Sequence, residues 1–157
     1  MDDELTPVVW PNGDQVDFDS IEAYAEDARR VAESNLDDGV VRGPDWVIAE
    51  LELISAHAAR MVLVIMNAET LKRRTATKLA RAKANARIAH ARKVPTLQTA
   101  HIVVDTAELQ DEYDVAVAAF EYARRVGNLL AGYTTRVQSI GRQVEITYSL
   151  AGAGRGR

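Results

Sequence analysis

The chain has 157 residues, enough for one domain with a hydrophobic core, and its 47% hydrophobic content excludes wholesale disorder. It has no cysteine, which excludes a disulfide scaffold and a thiolate metal site. Its longest apolar run, residues 61–66, is too short to span a bilayer, and its acidic N-terminus lacks the apolar core of a signal peptide. We therefore expect a cytoplasmic protein with no membrane partner.

The formal net charge of −4 conceals a strong segregation of charge along the chain. Residues 1–56 carry 15 acids and 3 bases, whereas residues 57–100 carry 1 acid and 10 bases. Residues 101–157 are nearly balanced, with 7 acids and 6 bases. Such segregation indicates either a polyanionic partner or charge pairing within the protein.

Residues 6–18 have the pattern of a small β-hairpin. Apolar residues at Val8 to Trp10 and at Val16 and Phe18 flank Asn12-Gly13, a strong signal for a two-residue turn. A disordered arm that contains a turn is the alternative. We assign the acidic residues 1–42 to an N-terminal region made of this hairpin and one helix.

The first helix is predicted to begin at Asp19 or Ser20, because Asp19 and Glu22 have the spacing of a capping box. Residues 35–39 provide the turn residues that end it. Its buried face is expected to consist of Ile21, Tyr24, Ala25, Ala28, Val31 and Ala32.

A second, much longer helix is predicted to open at Gly43-Pro44-Asp45 and to continue without glycine or proline until Pro95. About 50 helical residues would measure roughly 75 Å, longer than a compact domain of this size. We therefore expect a second copy, a partner or a helix break to accommodate it. Its apolar stripe contains Leu51, Ile54, Ala58, Met61, Ile65, Ala68, Leu71 and Thr75.

A third helix is predicted from Thr96 or Thr99 toward Tyr148, and residues 151–157 are expected to form a flexible tail. Apolar residues recur at the three- and four-residue steps of a coiled-coil seam, namely Val115, Ala119, Tyr122, Val126, Leu129, Tyr133, Val137, Ile140 and Val144. The expected fold is mostly α, with the two long helices of residues 43–150 packed as an antiparallel hairpin in a homo-oligomer.

The end of the second helix carries a basic block without any acid between Thr70 and Val104. Alanine fills most of its gaps, which favours helix. A helical wheel places Arg74, Lys78, Arg81 and Arg92 on one face and Lys72, Lys83 and Arg87 on another, with a narrow apolar strip between them. The block as a whole comprises Lys72, Arg73, Arg74, Lys78, Arg81, Lys83, Arg87, Arg92 and Lys93.

Mutual repulsion among these cations would be relieved by a DNA or RNA backbone, with release of counterions. The acidic first third of the same or another copy, a membrane surface or an acidic protein would offer alternative relief. No aromatic residue lies between Trp46 and Tyr113, so base-stacking side chains are missing from the block. We expect phosphate contacts that are independent of base sequence.

No pattern of catalytic residues emerges. His57, His90 and His101 lack partners at metal-ligand spacing, and no nucleotide-binding or nucleophile motif is present. The acidic cluster at Glu108, Asp111, Glu112 and Asp114 is interpreted as a solvated face or a clasp for basic residues. We therefore expect no enzyme, no cofactor and no metal.

The long helix with Lys78-Leu-Ala-Arg-Ala-Lys83, a short break and a final helix resembles the phage recombination mediator proteins of the T-even UvsY type. The resemblance covers roughly residues 46–150 and is best at residues 109–116, 120–125 and 136–141.

The resemblance implies a ring-like homo-oligomer that binds single-stranded DNA through Lys78, Arg81 and Lys83, with Arg87 as an extension of that contact. It implies that the protein helps to load a RecA-type recombinase, with a single-strand-binding protein as a further partner. It also implies the cytoplasm of a bacterial host. The alternative is a helical assembly protein of a phage that has no nucleic-acid role.

Overall fold

The computed structural model describes residues 7–36 and 38–153, and it is mostly helical. The four helices are α1 (Phe18–Ala32), α2 (Pro44–Ala89), α3 (Pro95–Asp105) and α4 (Ala107–Ala153). The prediction of a mostly helical protein in which the two long helices pack together is confirmed. None of these helices, over the described residues, has a segment long and apolar enough to cross a membrane.

Contacts divide the chain into two compact units, and each is assembled from two separate stretches of sequence. The first unit contains Met1–Glu22 and Val64–Ala123, and the second contains Ala23–Leu63 and Arg124–Arg157. Each unit therefore includes part of α1, part of α2 and part of α4.

In the first unit, the later part of α2 packs antiparallel to the early part of α4. The order of contacts reverses along the chain, since Lys72 lies against Phe120 and Lys78 against Glu112. Alanine is frequent at this seam, which lets the helix backbones approach closely. The buried residues are Val64, Ala68, Leu79 and Ala86 on α2 and Ala116, Ala119 and Ala123 on α4.

Residues 7–22 are an integral part of the first unit. A single antiparallel bridge joins Val9 to Gln15, and Trp10 is only 2% exposed, with its indole N–H donating to Ser20 Oγ at 3.0 Å. Gly13 has a positive φ of 91°, as the predicted Asn-Gly turn requires. The predicted hairpin of two strands is nevertheless wrong, because the described residues contain one bridge and no strand. Burial of Trp10 holds this arm in place, so a longer ladder is not needed.

A reciprocal capping box begins α1, two residues before the predicted one. Asp17 Oδ1 accepts a 2.8 Å hydrogen bond from the Ser20 backbone N–H, and Ser20 Oγ accepts a 3.0 Å bond from the Asp17 N–H. The bond from the Ser20 backbone N–H is the main cause that lowers the pKa of the Asp17 carboxyl. The expected buried face is otherwise largely present, with Ile21, Ala25, Ala28 and Ala32 buried.

In the second unit, the first turns of α2 pack against the later part of α4. The Tyr133 hydroxyl donates a 2.7 Å hydrogen bond to Glu50 Oε1, and Arg136 Nη2 donates to the Ala32 carbonyl at 3.3 Å. Gly141 permits a close approach, because a Cβ atom added there would lie 3.0 Å from Val47 Cγ1. The α4 core consists of Val126, Leu130, Tyr133 and Val137.

The predicted α4 seam is wrong at two positions. Val115 is 51% exposed and Leu129 is 43% exposed, while their neighbours Ala116 and Leu130 are buried. The buried residues from Ala116 to Val137 still step by threes and fours. Alanine at position 116 allows the helices to approach more closely than valine at position 115 would. The side chains of Val115 and Leu129 are therefore left outside the seam.

The long helices also differ from prediction at their ends. α2 stops at Ala89 and not at Pro95, and the predicted third helix is divided at Thr106 into α3 and α4. Thr106 is buried, and its hydroxyl and backbone N–H both donate to the Ile102 carbonyl. α4 continues through Ala153, so the predicted tail is helical in its first part, and its remainder lies outside the described residues.

Candidate nucleic-acid interface

The basic block lies entirely in the first unit. Its first seven cations are on α2, while Arg92 and Lys93 lie in the connection between α2 and α3. The predicted wheel face that joined Arg92 to Arg74, Lys78 and Arg81 is therefore wrong, because the helix ends three residues before Arg92. The early end follows from the connection to α3, where Lys93 N–H bonds to the His90 carbonyl.

Three lysines of the block are directed at α4. Lys78 Nζ lies 3.0 Å from Glu112 Oε2, and Lys83 Nζ donates to Gln110 Oε1 at 2.9 Å. Lys72 Nζ lies 4.6 Å from the centre of the Phe120 ring, within the range of a cation–π contact. These lysines lie on both sides of the seam between α2 and α4. The narrow apolar strip that was predicted between two cationic edges is therefore the surface of α2 that α4 covers.

Arg74 lies on the same edge as Lys78 but is only partly exposed. Its Nη1 atom is buried and has no hydrogen-bond partner among the described residues. A buried guanidinium nitrogen without an acceptor is energetically costly. Arg74 is therefore poorly placed to meet a phosphate at the surface.

The arginines at 73, 81 and 87 are exposed. Arg73, 77% exposed, contacts Glu69 Oε1 at 2.6 Å, which is an exposed pair of modest strength. Small exposed residues such as Thr77, Ala80 and Ala84 lie between these arginines. We call the surface that carries Arg73, Arg81 and Arg87 the outward face of α2. The small residues on it leave room for an extended nucleic-acid backbone to reach the arginines.

The α2–α3 connection contains contacts that sequence reasoning missed. His90 Nε2 lies 2.7 Å from Asp105 Oδ2, and the rings of His90 and His101 stack with centroids 4.8 Å apart. The four-residue spacing of His101 and Asp105 on one helix is the available signal for this cluster. The described residues include no group of three or more side chains that could hold a metal ion.

Opposite charges meet where α2 and α4 pack in the first unit. Residues 64–89 carry seven bases and one acid, whereas residues 107–123 carry five acids and no base. The predicted acidic clasp is confirmed at Glu112, which pairs with Lys78. Part of the repulsion within the block is therefore relieved by α4, and the outward face of α2 retains its exposed cations.

No family model matches the chain, and no curated protein or solved structure matches it. The interpretation of this surface therefore rests on its own charges and geometry, and the resemblance to recombination mediators rests on sequence pattern alone.

Proposed function

We propose that the protein is a sequence-independent, single-stranded DNA-binding recombination mediator that self-associates and helps to load a RecA-type recombinase. The observation that carries the DNA-binding part is the outward face of α2, where Arg73, Arg81 and Arg87 are exposed within a stretch free of acids. Arginine suits this role because its planar guanidinium forms paired hydrogen bonds with phosphate oxygens.

The proposed contact is with phosphates and not with bases. The exposed residues between the arginines are small, and the α2 part of the block has no aromatic side chain on which a base could stack. Affinity should therefore depend strongly on salt and weakly on base sequence. Three parts of the proposal come from the resemblance to the UvsY type. They are the preference for single-stranded DNA, the recombinase partner and the single-strand-binding protein partner.

A matched pair of triple variants tests which cations hold DNA. The first, R73Q/R81Q/R87Q, neutralises the outward face, and the second, K72Q/K78Q/K83Q, neutralises the lysines that contact α4. Both variants remove three charges, so they weaken the general electrostatic field equally. Fluorescence anisotropy with single- and double-stranded oligonucleotides across a salt series would give the affinity and its salt dependence.

The arginine variant should lose most of its affinity, and its slope of log affinity against log salt should fall by about 2 for a single strand. The lysine variant should lose less, because those side chains are engaged with α4. Equal losses would show that the outward face contributes no more to binding than its general electrostatic field. A wild-type protein that ignores both DNAs at low salt would overturn the DNA-binding proposal altogether.

A helical assembly protein without a nucleic-acid role is the second candidate. It is favoured by the direction of Lys72, Lys78 and Lys83 toward α4, because these cations stabilise the protein's own packing. Light scattering alongside the anisotropy series separates the two functions. An assembly protein would form oligomers whose mass and stability are indifferent to DNA.

A further inference from the structure

Helix α3 exposes several large apolar side chains. Leu97 is 57% exposed, Val103 is 62% exposed and Val104 is 73% exposed, and no residue of the helix is buried. Leu97, Ala100 and Val104 follow the three- and four-residue steps that place side chains on one face. A contiguous apolar face turned to solvent is unusual unless another surface covers it.

Polar contacts hold α3 in this orientation. Gln98 Nε2 donates to the Arg87 carbonyl at 3.2 Å, and His90 meets both His101 and Asp105. The side chains of Gln98, His101 and Asp105 thus face the end of α2 and the adjoining His90. The apolar face consequently points outward as a result of defined contacts.

Unpaired charges of opposite sign flank α3 along the chain. Arg92 and Lys93 directly precede the helix, while Glu108 and Asp111 follow it on the exposed first turns of α4. Within the described part of the chain, no ion pair or hydrogen bond involves any of these four side chains. The order along the chain is therefore basic, apolar and acidic.

We propose that α3 pairs antiparallel with α3 of a second copy of this chain about a two-fold axis. Antiparallel pairing brings Arg92 and Lys93 of each copy beside Glu108 and Asp111 of the other, and packs the two apolar faces together. Such a surface is self-complementary, as a two-fold interface requires. The inference rests on the self-association in the proposed function and is independent of DNA binding.

The charge pattern also argues for this occupant over others. An anionic lipid surface or a nucleic acid would attract the basic end of α3 but would be repelled by Glu108 and Asp111. A parallel pair of α3 helices would place like charges side by side. The contact is small by the standard of stable interfaces, so the dimer should depend on concentration and weaken with salt.

The first test compares two double variants by sedimentation velocity on nuclease-treated, DNA-free protein. L97Q/V104Q removes apolar side chains from α3, and V62Q/M66Q removes two equally accessible ones from α2, each 59% exposed. Because all four residues are exposed, circular dichroism should remain unchanged. The α3 variant should raise the dimer dissociation constant about tenfold or more, and the α2 variant should not. Equal behaviour of the two variants overturns the proposal.

The second test exchanges the charges at the two ends of α3. R92E/K93E alone and E108K/D111K alone should each dissociate the dimer. An equimolar mixture of the two should restore it, because both contacts in the mixed dimer join opposite charges. The variant with all four substitutions should also dimerise. If the mixture stays monomeric, antiparallel pairing is wrong.

The outcomes separate this inference from DNA binding. A wild-type protein that remains monomeric overturns the α3 dimer and the proposed self-association, even if the anisotropy series detects DNA binding. A dimer that obeys the charge exchange but ignores DNA supports the α3 dimer and contradicts the mediator.

Discussion

Lys78 Nζ lies 3.0 Å from Glu112 Oε2, and this pair joins the basic block of α2 to the acidic beginning of α4. Both side chains are about half exposed, so the pair contributes little to stability. Its larger effect is to engage a cation that would otherwise be available to a phosphate.

Replacing Glu112 with glutamine should therefore raise DNA affinity while changing stability by less than about 1 kcal/mol. The gain combines release of Lys78 with the loss of one negative charge, and we expect roughly 0.5 kcal/mol, or about a twofold increase in affinity. Anisotropy at fixed salt measures it. Glu121→Gln makes the same charge change on α4 and is the control. A gain no larger than that of the control would mean that Lys78 does not reach DNA.

The capping box of α1 predicts a difference between two nearby aspartates. Asp17→Ala should destabilise the protein by about 1 kcal/mol, because the side chain no longer accepts the hydrogen bond from the Ser20 backbone N–H at the helix start. Asp19→Ala should lie within about 0.5 kcal/mol of wild type. Urea denaturation compares them, and equal losses would contradict the cap at Asp17.

The same cap has a pH dependence. The pKa of Asp17 is lowered from 3.8 in the folded state, chiefly by the backbone hydrogen bond from Ser20. Its contribution to stability is therefore present above about pH 3.8 and is lost as pH falls through the folded pKa. The stability difference between wild type and Asp17→Ala should shrink in acid. A difference that persists below both pKa values would contradict this origin.

Tyr133 should ionise unusually late. Burial and its hydrogen bond to Glu50 raise its pKa to about 12 from the usual 10.0. Because the folded pKa is the higher one, its contribution to stability is complete below pH 10 and is lost as pH rises toward 12. Absorbance at the tyrosinate band should show one of the five tyrosines lagging, a lag that Tyr133→Phe removes. Unchanged titration in that variant would contradict the assignment.

Two glycines of α4 should respond oppositely to alanine. Gly132→Ala places its Cβ in open space and should stabilise the helix by about 0.8 kcal/mol. Gly141→Ala places its Cβ 3.0 Å from Val47 Cγ1, so overpacking should cost about 1–3 kcal/mol. The gain in helix propensity is about the same as at Gly132, so the variant should be less stable than Gly132→Ala. Thermal unfolding measures both. Equal stabilisation would show that Val47 moves aside freely.

Local patterns in the sequence were sufficient to predict that two long helices exist, but not where α2 ends or that α3 is separate from α4. The start of α2 at Pro44 follows from its proline and acidic first turn, and the apolar repeat indicated antiparallel packing with α4. The turn at Asn12-Gly13 was also predictable, because only local backbone geometry decides it. The sequence did not predict that a single bridge would replace the two strands, because this depends on how Trp10 is buried.

For the candidate site, the sequence by itself determined which cations exist and that no acid interrupts residues 70–104. Only the tertiary structure decided that Lys72, Lys78 and Lys83 contact α4 while Arg73, Arg81 and Arg87 face outward. It also decided that α3 turns its apolar side to solvent. The physical reason is range: helix formation depends on neighbours a few residues apart, whereas the partner of a charge at residue 78 lies 34 residues away along the chain.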